Sequence, residues 1–176
     1  MTVGSIGGGA SGMAAALAAA ENPNAEIFLF ERQARLGQKL SATGNGRCNL
    51  SNLHALEGGY HGQNVRFADF ALQNFGPDQT LEWFRGMGLF TVAEASGRVY
   101  PYSDQANSVV DILRFALEKE NIHVITGFEV TKVQKTAAWQ LARTPFSEGQ
   151  PLQSDFIWTR VGRSRVHLWP KPRRSL

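Results

Sequence analysis

The chain has 176 residues, 43% hydrophobic and 19% charged, which suffices for one domain with its own core and excludes a disordered chain. The net charge of +3 is unevenly placed: residues 1–155 carry 12 Lys and Arg against 15 Asp and Glu, while residues 156–176 carry six basic residues and no acid. A basic, nucleic-acid-attracting surface on the body is therefore excluded, because the positive balance belongs to the tail.

The first segment, Thr2-Val3-Gly4-Ser5-Ile6, reads as a strand with only two strong strand formers. Buried parallel strands are normally almost wholly apolar, and the deficit points to a shortened N-terminus. Ile6-Gly7-Gly8-Gly9-Ala10-Ser11-Gly12 follows, placing Gly7, Gly9 and Gly12 on G-x-G-x-x-G ahead of an alanine-rich helix from about Ala10 to Glu21. Gly7 permits a tight turn, Gly9 lets the backbone approach a pyrophosphate, and Gly12 lets the helix pack closely on the strand. Unpaired N–H groups and the positive end of the helix dipole face the phosphates, so Gly7, Gly9, Ala10, Ser11 and Gly12 are candidate ligand contacts. No Lys or Arg precedes Arg32, so the alanine run is not a secretory signal, and it is too short to span a membrane.

Pro23 and Asn24 stop the helix, and Glu26-Ile27-Phe28-Leu29-Phe30 forms a second strand. It ends in Glu31, 19 residues past Gly12, where a ribose-binding carboxylate belongs. A glycine-rich turn without a ligand is the plain alternative. Strand, turn, helix, strand and acid in this order favour a dinucleotide site.

From Arg32 to Asn52 the chain is polar, with Ser41-Ala42-Thr43-Gly44-Asn45-Gly46-Arg47-Cys48-Asn49 at its centre. A loop of this length is functional or disordered. Its close-set glycines beside Lys39 and Arg47 favour a nucleotide-contacting loop that uses backbone N–H nests and positive charge. Cys48, the sole cysteine, excludes internal disulfides and a dithiol centre and fits a reducing cytoplasm, which is the expected location.

Two helical patterns follow, Val65 to Phe75 and Pro77 to Arg85, with Phe67, Phe70, Leu72, Leu81, Trp83 and Phe84 expected to supply buried faces. Leu89 to Glu94 and Arg98 to Tyr100 read as a hairpin around Ala95-Ser96-Gly97. Asn107 or Ser108 can cap a helix running to Lys119. Ile122-His123-Val124-Ile125 is a third core strand reached by a crossover, and Phe128 to Gln134 with Trp139 to Ala142 form an antiparallel pair. From Ser147 onward the periodicity is gone, and the tail is expected not to fold.

Four segments together carry a family likeness: Gly7 to Gly12 with Glu31; Gly37-Gln38-Lys39-Leu40; Thr43-Gly44-Asn45-Gly46-Arg47-Cys48-Asn49; and Gly97-Arg98-Val99-Tyr100-Pro101. Over about residues 3 to 142 the chain resembles the YhiN/BaiN-like family of NAD(P)/FAD-dependent flavoprotein oxidoreductases. The resemblance implies an α/β fold, the N-terminal part of a Rossmann-like FAD-binding domain of the glutathione reductase type, over residues 1–155, with an unstructured basic tail over 156–176. It implies that Gly7, Gly9, Ala10, Ser11 and Gly12 hold the FAD pyrophosphate and Glu31 the adenosine ribose, with Arg32 and Lys39 nearby. Thr43, Gly44, Gly46, Arg47 and Asn49 would approach the flavin, and the backbone of Val130 the adenine. Family members are longer, with an inserted substrate domain and a returning C-terminal segment that this chain lacks. Where their pattern continues into a small-residue Ala-Thr/Cys-Gly-Gly turn, this chain reads Asp155-Phe156-Ile157-Trp158-Thr159-Arg160-Val161-Gly162, as a frameshift or truncation near residue 156 would give.

In such proteins FAD carries the redox chemistry and the polypeptide orients and tunes it. Arg47 is the first candidate for tuning, with a surface salt bridge as its alternative role. Cys48 is either a thiolate beside the flavin or a small buried hydrophobe. His54, His61 and His123 are available acids or bases, but no spacing singles one out and none builds a metal site. The expected activity is FAD-dependent reduction of C=C bonds with NAD(P)H as donor, the substrate being a small steroid-like metabolite or an RNA base. An NAD-binding dehydrogenase fragment and a non-catalytic remnant remain as alternatives.

Overall fold

The computed structural model describes residues 1–57, 60, 63–135, 138–143, 152–154, 156–159 and 167–168. In chain order they form β1 (Thr2–Ile6), α1 (Ala10–Ala19), β2 (Glu26–Phe30), α2 (Gln38–Ser41), a 3-10 helix at Thr43–Gly46 and β3 (Ser51–Asn52). A second 3-10 helix at Val65–Ala68 leads into α3 (Asp69–Asn74), α4 (Pro77–Gly86), β4 (Thr91–Ala93), β5 (Arg98–Pro101) and α5 (Ala106–Ala116). The last elements are β6 (Ile122–Ile125), β7 (Val130–Lys135), β8 (Trp139–Arg143), β9 (Leu152–Ser154), β10 (Phe156–Thr159) and β11 (His167–Leu168). Two compact units result, one from Met1–Gln38 with Leu117–Leu176 and one from Lys39–Ala116.

The first unit is built on a parallel sheet of order β10-β1-β2-β6. Strand β1 lies between two neighbours despite its weak apolar content. Its small residues explain this: Gly4 and Ser5 are buried, and the Ser5 hydroxyl donates to the Gly12 carbonyl at 3.0 Å, so α1 sits close over the strand. Met13, Ala16 and Leu17 of α1 are buried, as are Ile27, Leu29 and Phe30 of β2. Burying a large aliphatic side chain is worth roughly 1.5–3 kcal/mol, so this helix–sheet contact holds the turn between β1 and α1 in place. A second sheet of order β11-β7-β8-β9 contains the expected antiparallel pair β7–β8.

Strand β10 corrects one expectation. Residues from 156 were read as structureless because of their basic charge, yet Val3 to Ile6 pair in parallel with Phe156 to Thr159. Phe-Ile-Trp-Thr consists entirely of strand formers, and the missing backbone partners of β1 reward their pairing. His167–Leu168 likewise pairs with Lys132–Val133 of β7. Residues 144–151, 155, 160–166 and 169–176, which hold the rest of that expectation, lie outside the described residues, as does His61.

The second unit contains a three-stranded antiparallel sheet of order β3-β5-β4, with the predicted hairpin turning at Gly97 (φ +78°). Pro77 opens α4, and the Gln79 side chain accepts from the Gly76 N–H at 3.1 Å. Helix α5 starts at Ala106, just before the caps expected at Asn107 or Ser108, and buries Val109, Val110 and Leu113. Here a second expectation fails: Phe67 is 85% exposed and Phe70 78%, while Phe84 is buried and Leu72, Leu81 and Trp83 are half-buried. The segment from Val65 to Asn74 divides into a 3-10 turn and a six-residue α-helix. A 3.0-residue repeat followed by a 3.6-residue repeat does not keep one apolar stripe.

Candidate dinucleotide site

In the first unit the chain leaves β1 at Ile6, turns at Gly7 with φ +99°, and enters α1 at Ala10. The Gly7 N–H donates to the Phe30 carbonyl at 2.8 Å, tying the turn to the end of β2. A Cβ at Gly12 would overlap the Gly7 carbonyl oxygen, so close approach of helix and turn requires glycine there. Gly7 thus makes the turn and Gly12 the close approach of helix to turn.

Gly8, which sequence reasoning passed over, is as tightly constrained. A Cβ on it would overlap Leu36 Cδ2 and lie 3.0 Å from Glu31 Cβ. Its N–H donates to Glu31 Oε2 at 2.6 Å, and the Gln33 N–H donates to Glu31 Oε1 at 2.8 Å. Glu31 is therefore fixed at the tip of β2 beside the glycine turn, as the 19-residue spacing predicts. Each carboxylate oxygen has a second lone pair, so a ribose hydroxyl can be accepted alongside these bonds.

Gly9 is the N-cap of α1, in extended backbone conformation, and no side chain caps the helix. The first intrahelical bond is Met13 N–H to the Gly9 carbonyl at 3.0 Å, so the N–H groups of Ala10, Ser11 and Gly12 have no intrahelical acceptor. Ala10 and Ser11 are exposed. Such an end of a ten-residue helix attracts negative charge. The uncapped N–H groups and the fixed carboxylate fit a dinucleotide, with pyrophosphate on the helix end and ribose on Glu31.

The segment after β6 reaches the same tip. The Phe128 N–H donates to the Glu31 carbonyl at 2.9 Å, and Val130 packs with Phe30, Val133 and Leu141 in one buried cluster. Val130 and Glu31, far apart in sequence, are thereby brought together. Arg32 lies 4.0 Å from Glu129, with both side chains more than half exposed. An ion pair this exposed contributes little.

The remaining candidates belong to the second unit. Lys39 is exposed on α2. Around Arg47 the backbone is left-handed at Gly44 (φ +57°), Asn45 (+54°), Gly46 (+84°) and Cys48 (+59°). Three N–H groups of this loop are engaged within the unit. Arg47 N–H donates to the Gly44 carbonyl at 3.1 Å, Cys48 N–H to Thr43 at 3.0 Å, and Leu50 N–H to Val99 at 2.8 Å.

Arg47 itself bonds Asp104 through Nε at 2.5 Å and Glu94 through an Nη at 2.9 Å, and its guanidinium lies 4.0 Å from the Tyr100 ring centroid. Asp104 first, then Glu94, hold its pKa above the ordinary arginine range. This is the salt-bridge arrangement, and it joins the loop to the β4–β5 hairpin. Cys48 is 1% exposed, and burial pushes its thiol pKa up, with the Thr43 hydrogen bond a smaller opposing effect. A buried, protonated thiol is a poor nucleophile. Asn49, also in this loop, is exposed.

Among the described residues no three His, Cys, Asp or Glu side chains group as a metal site, and no helix is long and apolar enough to cross a membrane.

The chain is similar to known proteins. The chain is 41% identical over 156 residues to the 3-dehydro-bile acid delta(4,6)-reductase of Clostridium scindens, a match covering 88% of this chain and 37% of that protein. It is 31% identical over 130 residues to the ribosomal RNA dihydrouridine synthase of Escherichia coli, covering 74% of this chain and 32% of the relative. The chain thus spans about a third of the length of these curated relatives. Among solved structures, Thermovibrio ammonificans THI4 superposes with a TM-score of 0.55 at 14% identity, over 90% of this chain and 55% of that one, a likeness of fold. The family model for the HI0933-like protein Rossmann domain matches residues 1–165, past the Asp155 boundary drawn from composition. With the glycine turn, the uncapped helix and Glu31 in one parallel-sheet unit, the chain belongs to the HI0933-like family through its Rossmann domain.

Proposed function

We propose that this chain is the FAD-binding portion of a flavoprotein oxidoreductase that reduces C=C bonds, with NAD(P)H as hydride donor. The observation that carries the reading is the β1–α1 turn: Gly7 makes the turn with φ +99°, Gly12 lets α1 approach it closely, and the uncapped helix end lies with Glu31 fixed beside the turn. The two relatives support the reaction class, since a delta(4,6)-reductase and a dihydrouridine synthase are both named for changes at C=C bonds.

In this reading the N–H groups of Ala10, Ser11 and Gly12 bind the pyrophosphate, and Gly9 keeps the approach open. Glu31 accepts the adenosine ribose hydroxyls, and the main chain at Val130 faces the adenine. Bound FAD, once reduced by NAD(P)H, would pass the hydride to the substrate, and the protein supplies binding, orientation and exclusion of water. The substrate is a small molecule or an RNA base, and the site of action is the cytoplasm.

The test is an absorption spectrum of the purified chain together with Gly9→Val. Retained flavin gives a yellow protein, and a branched side chain at position 9 blocks backbone approach to the phosphates. Flavin content falling at least tenfold in the variant supports the assignment. A colourless protein that binds NAD would make it a nicotinamide-binding module instead, for which Glu31 is equally suited.

A further inference from the structure

At Ser5, strand β1 lies between Leu29 of β2 and Trp158 of β10, and the side chain there, 1% exposed, is a hydroxyl where a buried parallel strand normally carries an apolar group. A buried hydroxyl costs stability unless it is hydrogen-bonded. That of Ser5 donates to the Gly12 carbonyl at 3.0 Å, in the first turn of α1. The bond needs the close approach that Gly12 allows, since a Cβ there would overlap the Gly7 carbonyl oxygen and lie 3.5 Å from Ser5 Oγ. A carbonyl has two lone pairs, so Gly12 accepts this bond beside its intrahelical one.

Two peptide groups continue the line from Ser5. The Gly12 carbonyl shares its peptide group with the Met13 N–H, which donates to the Gly9 carbonyl at 3.0 Å. The Gly9 carbonyl in turn shares its peptide group with the Ala10 N–H, which has no intrahelical acceptor. A chain of hydrogen bonds thus begins on a buried hydroxyl and ends on a donor at the exposed start of the helix. In such a chain each bond polarises the next, so a donor on the carbonyl of a peptide group strengthens its N–H. Ser5 and Met13 are buried, and water does not compete for these bonds. The Ser11 N–H stands outside the chain, because its peptide group carries the Ala10 carbonyl, to which Ser5 does not donate.

We infer that Ser5 is a positioning residue for the pyrophosphate: acting through the two peptide groups, its hydroxyl fixes the first turn of α1 and strengthens the Ala10 N–H as a donor to phosphate. The inference rests on reading this helix end as the pyrophosphate seat, and it adds a residue that lies beneath the helix instead of at the ligand. It also gives a use to the apolar deficit of β1, since an aliphatic side chain at position 5 could not make the bond.

The experiment compares the full chain, freed of any flavin, with Ser5→Ala, which removes the hydroxyl and little volume. Two quantities are read: the affinity for ADP, a probe that carries both ribose and pyrophosphate, and the amide proton shifts of the ligand-free chain by NMR. ADP should bind roughly two- to tenfold more weakly in the variant, the worth of about one neutral hydrogen bond. The Ala10 and Met13 amide protons should move upfield by more than that of Ser11. Unchanged ADP affinity overturns the inference, and so does weaker binding with all three amide protons moving alike, which marks a general loosening of the helix. Ser5→Cys, whose S–H is a weak donor, replaces Ser5→Ala should that variant lose its circular dichroism spectrum. FAD titrated into the same preparations keeps the two readings apart. FAD and ADP bound equally by the native and variant chains remove only the role of Ser5. ADP binding that depends on Ser5, without FAD binding, removes only the cofactor assignment, and binding of neither ligand by the native chain removes both.

Discussion

Gly8 is an unnamed position of the G-x-G-x-x-G pattern, yet no Cβ fits there without moving Leu36 or Glu31. Gly8→Ala should lower stability by about 1–3 kcal/mol, the usual cost of overpacking. It should also weaken FAD binding by displacing the Glu31 carboxylate, and thermal melting with a flavin titration checks both. Arg47 bonds two carboxylates that follow it by tens of residues, so Arg47→Ala should lower the unfolding temperature by a few degrees and leave FAD affinity unchanged. A variant that melts normally but loses flavin would instead give Arg47 the cofactor role its neighbouring glycines suggest. Cys48 offers a pH test. Its folded pKa is raised, so its contribution to stability is full below the ordinary thiol value of about 8.5 and is lost as pH rises through the folded value. Denaturant unfolding at several pH values should show this alkaline loss in the native chain and a flatter profile in Cys48→Ala. Native Cys48 should also alkylate far more slowly than the unfolded thiol.

Among the elements, what was legible in the sequence was what local contacts decide. Strand β1, the turn at Gly7, α1, β2 and Glu31 lie within one short stretch, and Gly12 is required by the carbonyl of Gly7 five residues before it. The β7–β8 pair was legible for the same reason, being joined by a short connection. What escaped depends on distant partners. Strand β10 exists because Val3 and Phe156 meet, and neither residue announces the other. The exposure of Phe67 and Phe70 depends on where a 3-10 turn gives way to α3, which apolar spacing does not encode. For Arg47 the sequence left a surface salt bridge as the alternative to a cofactor role, and its partners Glu94 and Asp104 could not be named because they are far along the chain. The pairing of β10 carries its own prediction. A chain ended at residue 155 leaves one edge of β1 unpaired and should melt roughly 4–8 °C lower, about 2 kcal/mol for a protein of this size. An unchanged melting temperature would mean that the pairing contributes nothing in solution.

For the molecule as a whole, the proposed function puts the cofactor at the β1–α1 turn of the first unit, where the helix end is uncapped. Binding to the folded state alone must then stabilise it, by about 2.7 kcal/mol when FAD is present at 100 times its Kd. The most direct measurement is a titration of flavin-free chain with FAD, followed by flavin fluorescence, for the native sequence and for Glu31→Gln. A hydrogen bond to a charged group is worth about 1.5–3 kcal/mol. Saturable binding by the native chain should therefore weaken by roughly 10–150-fold in the variant, with the circular dichroism spectrum unchanged. Equal affinity in the two chains, or no saturable binding by the native one, would contradict the assignment of FAD to this turn.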